Sequence, residues 1–219
     1  EQADVLTVDF PGHGQSGEPP VPWGVPEYAG QIAGLLESLS IAKVRVVAHS
    51  FGGRVAVYLA SHRPEMVEQM VLTGAAGIRK PLTETQKKRQ ARFKRMNAIL
   101  NALKRLRLLR AMVERWQAAL RRRYGSAAYA RLNENMRRTF SKVISQDLYP
   151  FLKDIQAPTL LVWGSEDTET PLWMGEQMEK AVPDAGLVVF EGRTHFAFIE
   201  EWQRFLTIVR QFFWGGQTA

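Results

Sequence analysis

The stretch Val44-Arg45-Val46-Val47-Ala48-His49-Ser50-Phe51-Gly52-Gly53-Arg54-Val55-Ala56 decides how this chain folds. Val44, Val46 and Val47 are β-branched and suit a short buried strand. The run then breaks into small residues and resumes as Val55-Ala56-Val57-Tyr58-Leu59-Ala60, which reads as a helix. Strand, sharp turn and helix follow in that order, with Ser50 at the apex. The spacing is a variant of G-x-S-x-G, with Ala48 at the first glycine position and Gly52 at the second. A side chain at such an apex sits on strained backbone, and small neighbours let strand and helix approach. Gly53 adds a second bare position where the helix meets the sheet. The plainer alternative is a glycine-rich connection that happens to contain a serine.

Two stretches further along bear on that choice. Leu160-Leu161-Val162-Trp163-Gly164-Ser165-Glu166-Asp167-Thr168-Glu169-Thr170-Pro171 is an apolar strand running into an acidic loop. Leu187-Val188-Val189-Phe190-Glu191-Gly192-Arg193-Thr194-His195-Phe196 is another strand, followed by a histidine. With the serine turn, these stretches resemble the α/β-hydrolase superfamily, in which nucleophile, acid and histidine occur in this chain order. The resemblance implies an α/β fold, a mostly parallel sheet flanked by helices. It also implies catalytic roles for Ser50, Asp167 and His195, with the backbone N–H of Phe51 as an oxyanion donor. Glu166 and Glu169 are the competing acids. Glu166 precedes the matching position, and Glu169 reads as a first-turn charge on the helix that follows.

Residues 4–10 read as a strand, followed at once by Pro11-Gly12-His13-Gly14-Gln15-Ser16-Gly17. In the resembling family this D-x-P-G-x-G-x-S pattern follows the fourth strand. The chain begins Glu1-Gln2, and the first three strands and their His-Gly-rich loop have no counterpart in it. The expectation is an N-terminally shortened fold whose second oxyanion donor is missing. His13, between two glycines, reads as a loop residue, and His62 as the end of a helix, where a cation suits the dipole.

Composition sets outer limits. A chain of 219 residues is large enough for one substantial core, and 45% hydrophobic with 23% charged residues is ordinary for a globular protein. Cysteine is absent, which excludes disulfides, thiolate metal sites and a cysteine nucleophile. The histidines at 13, 49, 62 and 195 lack zinc-site spacing, so neither metal nor cofactor is expected. No apolar run reaches membrane-spanning length and no signal segment is visible, which makes a cytoplasmic location the default expectation.

Residues 79–150 differ in kind. They hold 20 of the 29 basic residues and only Glu84, Glu114, Glu134 and Asp147 among the acids. The shift marks an inserted module, leaving 1–78 and 151–219 as the core. Thr83-Glu84-Thr85-Gln86 resembles a capping box. From Phe93 an apolar stripe at helical spacing runs to position 120, with a break expected within 97–107. Gly125 and Ser126 suit a stop and a new N-cap for a helix through Phe140. In the resembling family an insertion here forms a helical cap. Its charge admits three readings: a solvated face, a field that draws in anionic substrates, or weak contact with an acidic membrane. Nothing beyond charge points to specific nucleic-acid binding.

Other helices are expected over 27–39, 171–181 and 198–213. The function that follows is hydrolysis of a small-molecule carboxylic ester, thioester or lactone through a Ser-His-Asp triad and an acyl-enzyme. Serine at the apex argues against dehalogenase and epoxide-hydrolase relatives, which carry aspartate there. Hydrolysis of a carbon–carbon bond is a close alternative. A non-catalytic binding protein with an incomplete oxyanion hole is another, of a different class.

Overall fold

The computed structural model describes residues 3–79, 83–103, 112–113, 115–116 and 132–215. Its frame is a four-stranded parallel sheet in the order β1 (Val44–His49), β2 (Val67–Thr73), β3 (Thr159–Gly164) and β4 (Ala185–Phe190). Val47 pairs with Val71, Leu72 with Leu161 and Val162 with Val188, which aligns the strand ends at His49, Thr73 and Gly164. Helices α1 (Val25–Ser38) and α2 (Phe51–His62) come first in the chain. Further along are α3 (Glu84–Leu103), α4 (Glu134–Ser145), α5 (Trp173–Ala181) and α6 (Trp202–Trp214). None of the described helices is long and apolar enough to cross a membrane.

The two-residue period of a strand divides the core. Met70, Leu72, Leu161 and Trp163 join the cluster built with Tyr28, Leu36, Val57, Leu59 and Met178, from α1, α2 and α5. Val71, Leu160 and Val162 turn to the other face and meet Phe205, Val209 and Phe213 of α6. Both faces of β3 are therefore covered, and all six of its residues are buried. That accounts for its near-continuous apolar sequence.

Residues 4–10 form no strand, against expectation. A strand exists through its ladder, and among the described residues none pairs with this segment or with the outer edge of β1. Val5 is accordingly 82% exposed, and only Phe10 packs against the core. The closing helix, expected as one piece, is a short turn at Ala197–Glu200 followed by α6, with Glu201 at the junction in a non-helical conformation (φ −126°, ψ 49°).

Contacts divide the chain into one unit of residues 1–79 and 139–219 and a second of residues 80–138. Residues 139–150 thus pack with the core, not with the insertion as the sequence suggested. Thr139 Oγ1 accepts a hydrogen bond from the Trp23 N–H, and the Leu148 N–H donates to Gly77 O. In the second unit the capping box is present. The Gln86 N–H donates to Thr83 Oγ1 at 3.3 Å, and the Thr83 N–H donates to Gln86 Oε1 at 3.0 Å. α3 continues unbroken through Leu103, while residues 104–107, Gly125 and Ser126 lie outside the described residues. α4 starts later than expected, where Asn133 Oδ1 accepts the Met136 N–H, and runs beyond Phe140 to Ser145.

Candidate active site

Ser50 sits between β1 and α2 with φ 49° and ψ −108°, a left-handed backbone that costs a non-glycine residue about 1–3 kcal/mol. Backbone bonds hold it there: the Ser50 N–H donates to Thr73 O at 3.1 Å, and the Ala76 N–H donates to Ser50 O at 3.0 Å. A Cβ on Gly53 would stand 2.5 Å from Ala75 Cβ, so close packing of α2 on the segment that follows β2 requires glycine. At Gly52 the nearest atom would be Ala48 Cβ at 3.7 Å, ordinary contact, which shows why alanine suffices at the first motif position. Phe51 opens α2, so its N–H is among the first-turn donors without an intrahelical acceptor.

Phe51 also anchors the loop that follows residues 4–10. Its ring meets Phe10 and Tyr28 edge-on and stacks with His13 at 5.3 Å. The Tyr28 hydroxyl, buried, donates to Pro11 O at 3.0 Å. Gly14 is bare because its Cβ would fall 2.2 Å from the Asp9 carboxyl. His13 thus supports the ring beside the serine. His62 ends α2 and stacks on Tyr58 at 3.8 Å.

Asp167 and His195, 28 positions apart, come together at the strand ends. Asp167 Oδ2 lies 2.7 Å from His195 Nδ1, and both side chains are buried. Asp167 Oδ1 accepts the N–H groups of Glu169 and Thr170 at 2.9 and 2.8 Å. The Thr170 hydroxyl lies 2.8 Å from Asp167 Oδ2, 2.9 Å from Gly74 O and 3.2 Å from His195 Nδ1. These hydrogen bonds fix the plane of the carboxylate. The histidine loop is pressed onto β3, since a Cβ on Gly164 would stand 2.2 Å from Thr194 O and 2.3 Å from Arg193 O. Gly74, at φ 48°, passes so close that its Cβ would lie 3.1 Å from His195 Nδ1.

Other groups also approach the His195 ring. His49 packs against it with ring centroids 4.5 Å apart and places Nδ1 3.0 Å from Thr73 O. Burial, then the neighbouring His195, pushes the His49 pKa below its ordinary value, which favours the neutral ring. Glu169 Oε2 lies 3.7 Å from His195 Nε2. Glu169 precedes α5 by four residues, so it is not the first-turn charge the sequence suggested. Among the described residues the Ser50 hydroxyl has no hydrogen-bond partner. Such contacts commonly tighten only around substrate.

Spatial closeness also reveals participants that the sequence reading passed over. Thr170 carried a signal, since a threonine three places after an aspartate fits an Asx-type turn. Gly74 and His49 carried none, because their roles depend on segments distant in sequence.

The likenesses agree with this geometry. A model of the alpha/beta hydrolase family matches residues 1–208. A 2-hydroxy-6-oxononadienedioate/2-hydroxy-6-oxononatrienedioate hydrolase of Burkholderia vietnamiensis is 30% identical, over 95% of this chain and 75% of its own. A crystal structure of a hydrolase from Pseudomonas aeruginosa superposes with a TM-score of 0.66 at 28% identity, over 94% of this chain and 77% of that one. The enol-lactonase of Burkholderia xenovorans gives a TM-score of 0.64 at 25% identity, over 94% and 78%. With a parallel sheet, a serine on a strained strand-to-helix turn and a buried Asp-His pair beyond the later strands, the chain belongs to the alpha/beta hydrolase family, enzymes of the hydrolase class.

Proposed function

We propose that the chain is a serine hydrolase of small carboxylic esters, thioesters or lactones, with Ser50 as nucleophile, His195 as base and Asp167 as its orienting acid. The observation that carries this reading is the buried 2.7 Å contact between Asp167 Oδ2 and His195 Nδ1. It fixes the proton on Nδ1 and leaves Nε2 to take the proton of Ser50. The Ser50 oxygen attacks the carbonyl carbon, and its proton passes to Nε2 and then to the leaving oxygen. Water, deprotonated by the same nitrogen, attacks the acyl-enzyme and releases the acid. The Phe51 N–H, at the start of α2, would bind the developing oxyanion, a contact of a kind typically worth about 100- to 1,000-fold in turnover.

Carbon–carbon bond hydrolysis is the second reading, favoured by the 30% identity to a 2-hydroxy-6-oxononadienedioate hydrolase. In the first reading the basic insertion, residues 80–138, acts through its charge on anionic substrates. Labelling with a neutral fluorophosphonate tests the site. Wild type should label, and Ser50→Ala and His195→Ala should not. A folded wild-type chain that takes no label would overturn the proposal and favour a non-catalytic role.

A further inference from the structure

The His195 imidazole lies between two carboxylates in opposite surroundings. Asp167, on Nδ1, has a fully buried side chain, whereas Glu169, 3.7 Å from Nε2, is 67% exposed. Glu169 contributes its N–H to the Asp167 turn, but its carboxylate takes no part in that hydrogen bonding. The rings of His49 and Phe196 also pack against the His195 ring, and Phe198 packs against His49. Among the described residues, Glu169 is the charged group that approaches Nε2.

We propose that Glu169 is a specificity-determining residue, whose carboxylate disfavours negative charge on the leaving group and favours neutral or cationic leaving groups. This rests on the assignment of Ser50, His195 and Asp167 made above. Nε2 returns its proton to the leaving oxygen, so a substituent a few bonds from that oxygen passes within roughly 6 Å of Glu169. At that distance, in a water-like dielectric, one unit charge changes the rate constant about threefold. Cation and anion then differ by about tenfold, and salt should shrink the difference. The selection applies to the leaving group alone and is opposite in sign to any attraction of anions by residues 79–150.

The test uses three aryl acetates that differ only in the ring substituent: trimethylammonium, tert-butyl or carboxylate. Their kcat/KM values are compared for wild type and Glu169→Gln, at low salt and at about 0.3 M salt. With each kcat/KM divided by that ester's alkaline hydrolysis rate, which removes the substituent's own effect on the leaving group, wild type should prefer the ammonium over the carboxylate ester by about tenfold at low salt. Glu169→Gln and added salt should each collapse that ratio. The ratio is the readout, so any general change in activity cancels. Ser50-dependent hydrolysis with the same ratio in both proteins would overturn the role of Glu169 alone. Hydrolysis of none of the esters, with no fluorophosphonate labelling, would overturn the site assignment and this inference with it.

Discussion

His49 combines two constraints that act against each other as pH falls. Its Nδ1 lies against Thr73 O, and its ring is partly buried beside His195, with burial the larger influence on its pKa. Because the folded-state pKa is lowered, the folded protein binds fewer protons at this position than the unfolded chain does. The stability associated with His49 is therefore fully present above the ordinary value near 6.5 and is lost as pH falls towards the lowered one. His49→Asn removes the titration. The stability gap between wild type and this variant, measured by urea denaturation, should narrow on going from about pH 7.5 to about pH 5.5. A gap that stays constant would mean that folding leaves the His49 pKa unshifted, and one that widens would mean that it is raised, and either outcome overturns the lowered value. At this scale the motif residues were legible, because Ser50, Asp167 and His195 each follow a recognisable strand. Glu169 was misread. Its position next to Nε2 is set by the hydrogen bonds that curl residues 167–170 and is not visible in its spacing from α5.

Among the elements, α2 does more than present Ser50. Its Arg54 is buried and donates to Val143 O at 3.1 Å and Gln146 O at 3.0 Å, at the C-terminal end of α4. Arg79 donates to Ser145 O, and its N–H to Asp147 Oδ1. Two guanidinium groups thus satisfy carbonyls that a helix end leaves open and oppose its negative dipole end. Burial pulls the Arg54 pKa down, with Asp147 acting in the other direction, yet arginine keeps its charge across the accessible pH range. Replacing it by leucine would take this donor from the half-buried Gln146 O and leave Val143 O with only the Gln146 N–H at 3.3 Å. Arg54→Leu should therefore lower unfolding free energy by about 2–3 kcal/mol, read from urea midpoints. Both bonds come from the one nitrogen Nη1, so Arg54→Lys, with three N–H donors on a shorter stem, should recover part of this. A leucine variant as stable as wild type would show that these bonds add nothing net. α4 was extended past its expected end because these contacts, spanning 89 and 92 positions, have no local signature. The reading of residues 4–10 failed for a related reason: β-propensity needs a partner strand before it becomes a strand.

For the molecule as a whole, the uneven distribution of charge was the plainest feature of the sequence. Residues 79–150 hold 20 of the 29 basic residues, and the remainder of the chain is net acidic. The division of the chain into residues 80–138 and the rest follows almost the same line, displaced at its second boundary by the packing of residues 139–150. That displacement depends on tertiary contacts such as Leu148 N–H to Gly77 O, which composition does not encode. Such a charge surplus carries its own physical consequence. Each Lys or Arg close to an acidic lipid surface contributes about 1 kcal/mol, and the attraction decays within a Debye length. The protein should therefore sediment with vesicles rich in phosphatidylserine at low ionic strength and be released by about 0.3 M salt. It should not sediment with phosphatidylcholine vesicles. Replacing Arg121, Arg122 and Arg123 together by alanine should weaken the adsorption and flatten its salt dependence. Equal binding to acidic and neutral vesicles would reject attraction by charge. No binding to either, at low salt, would favour a basic segment whose field is offset by the acidic remainder of the chain.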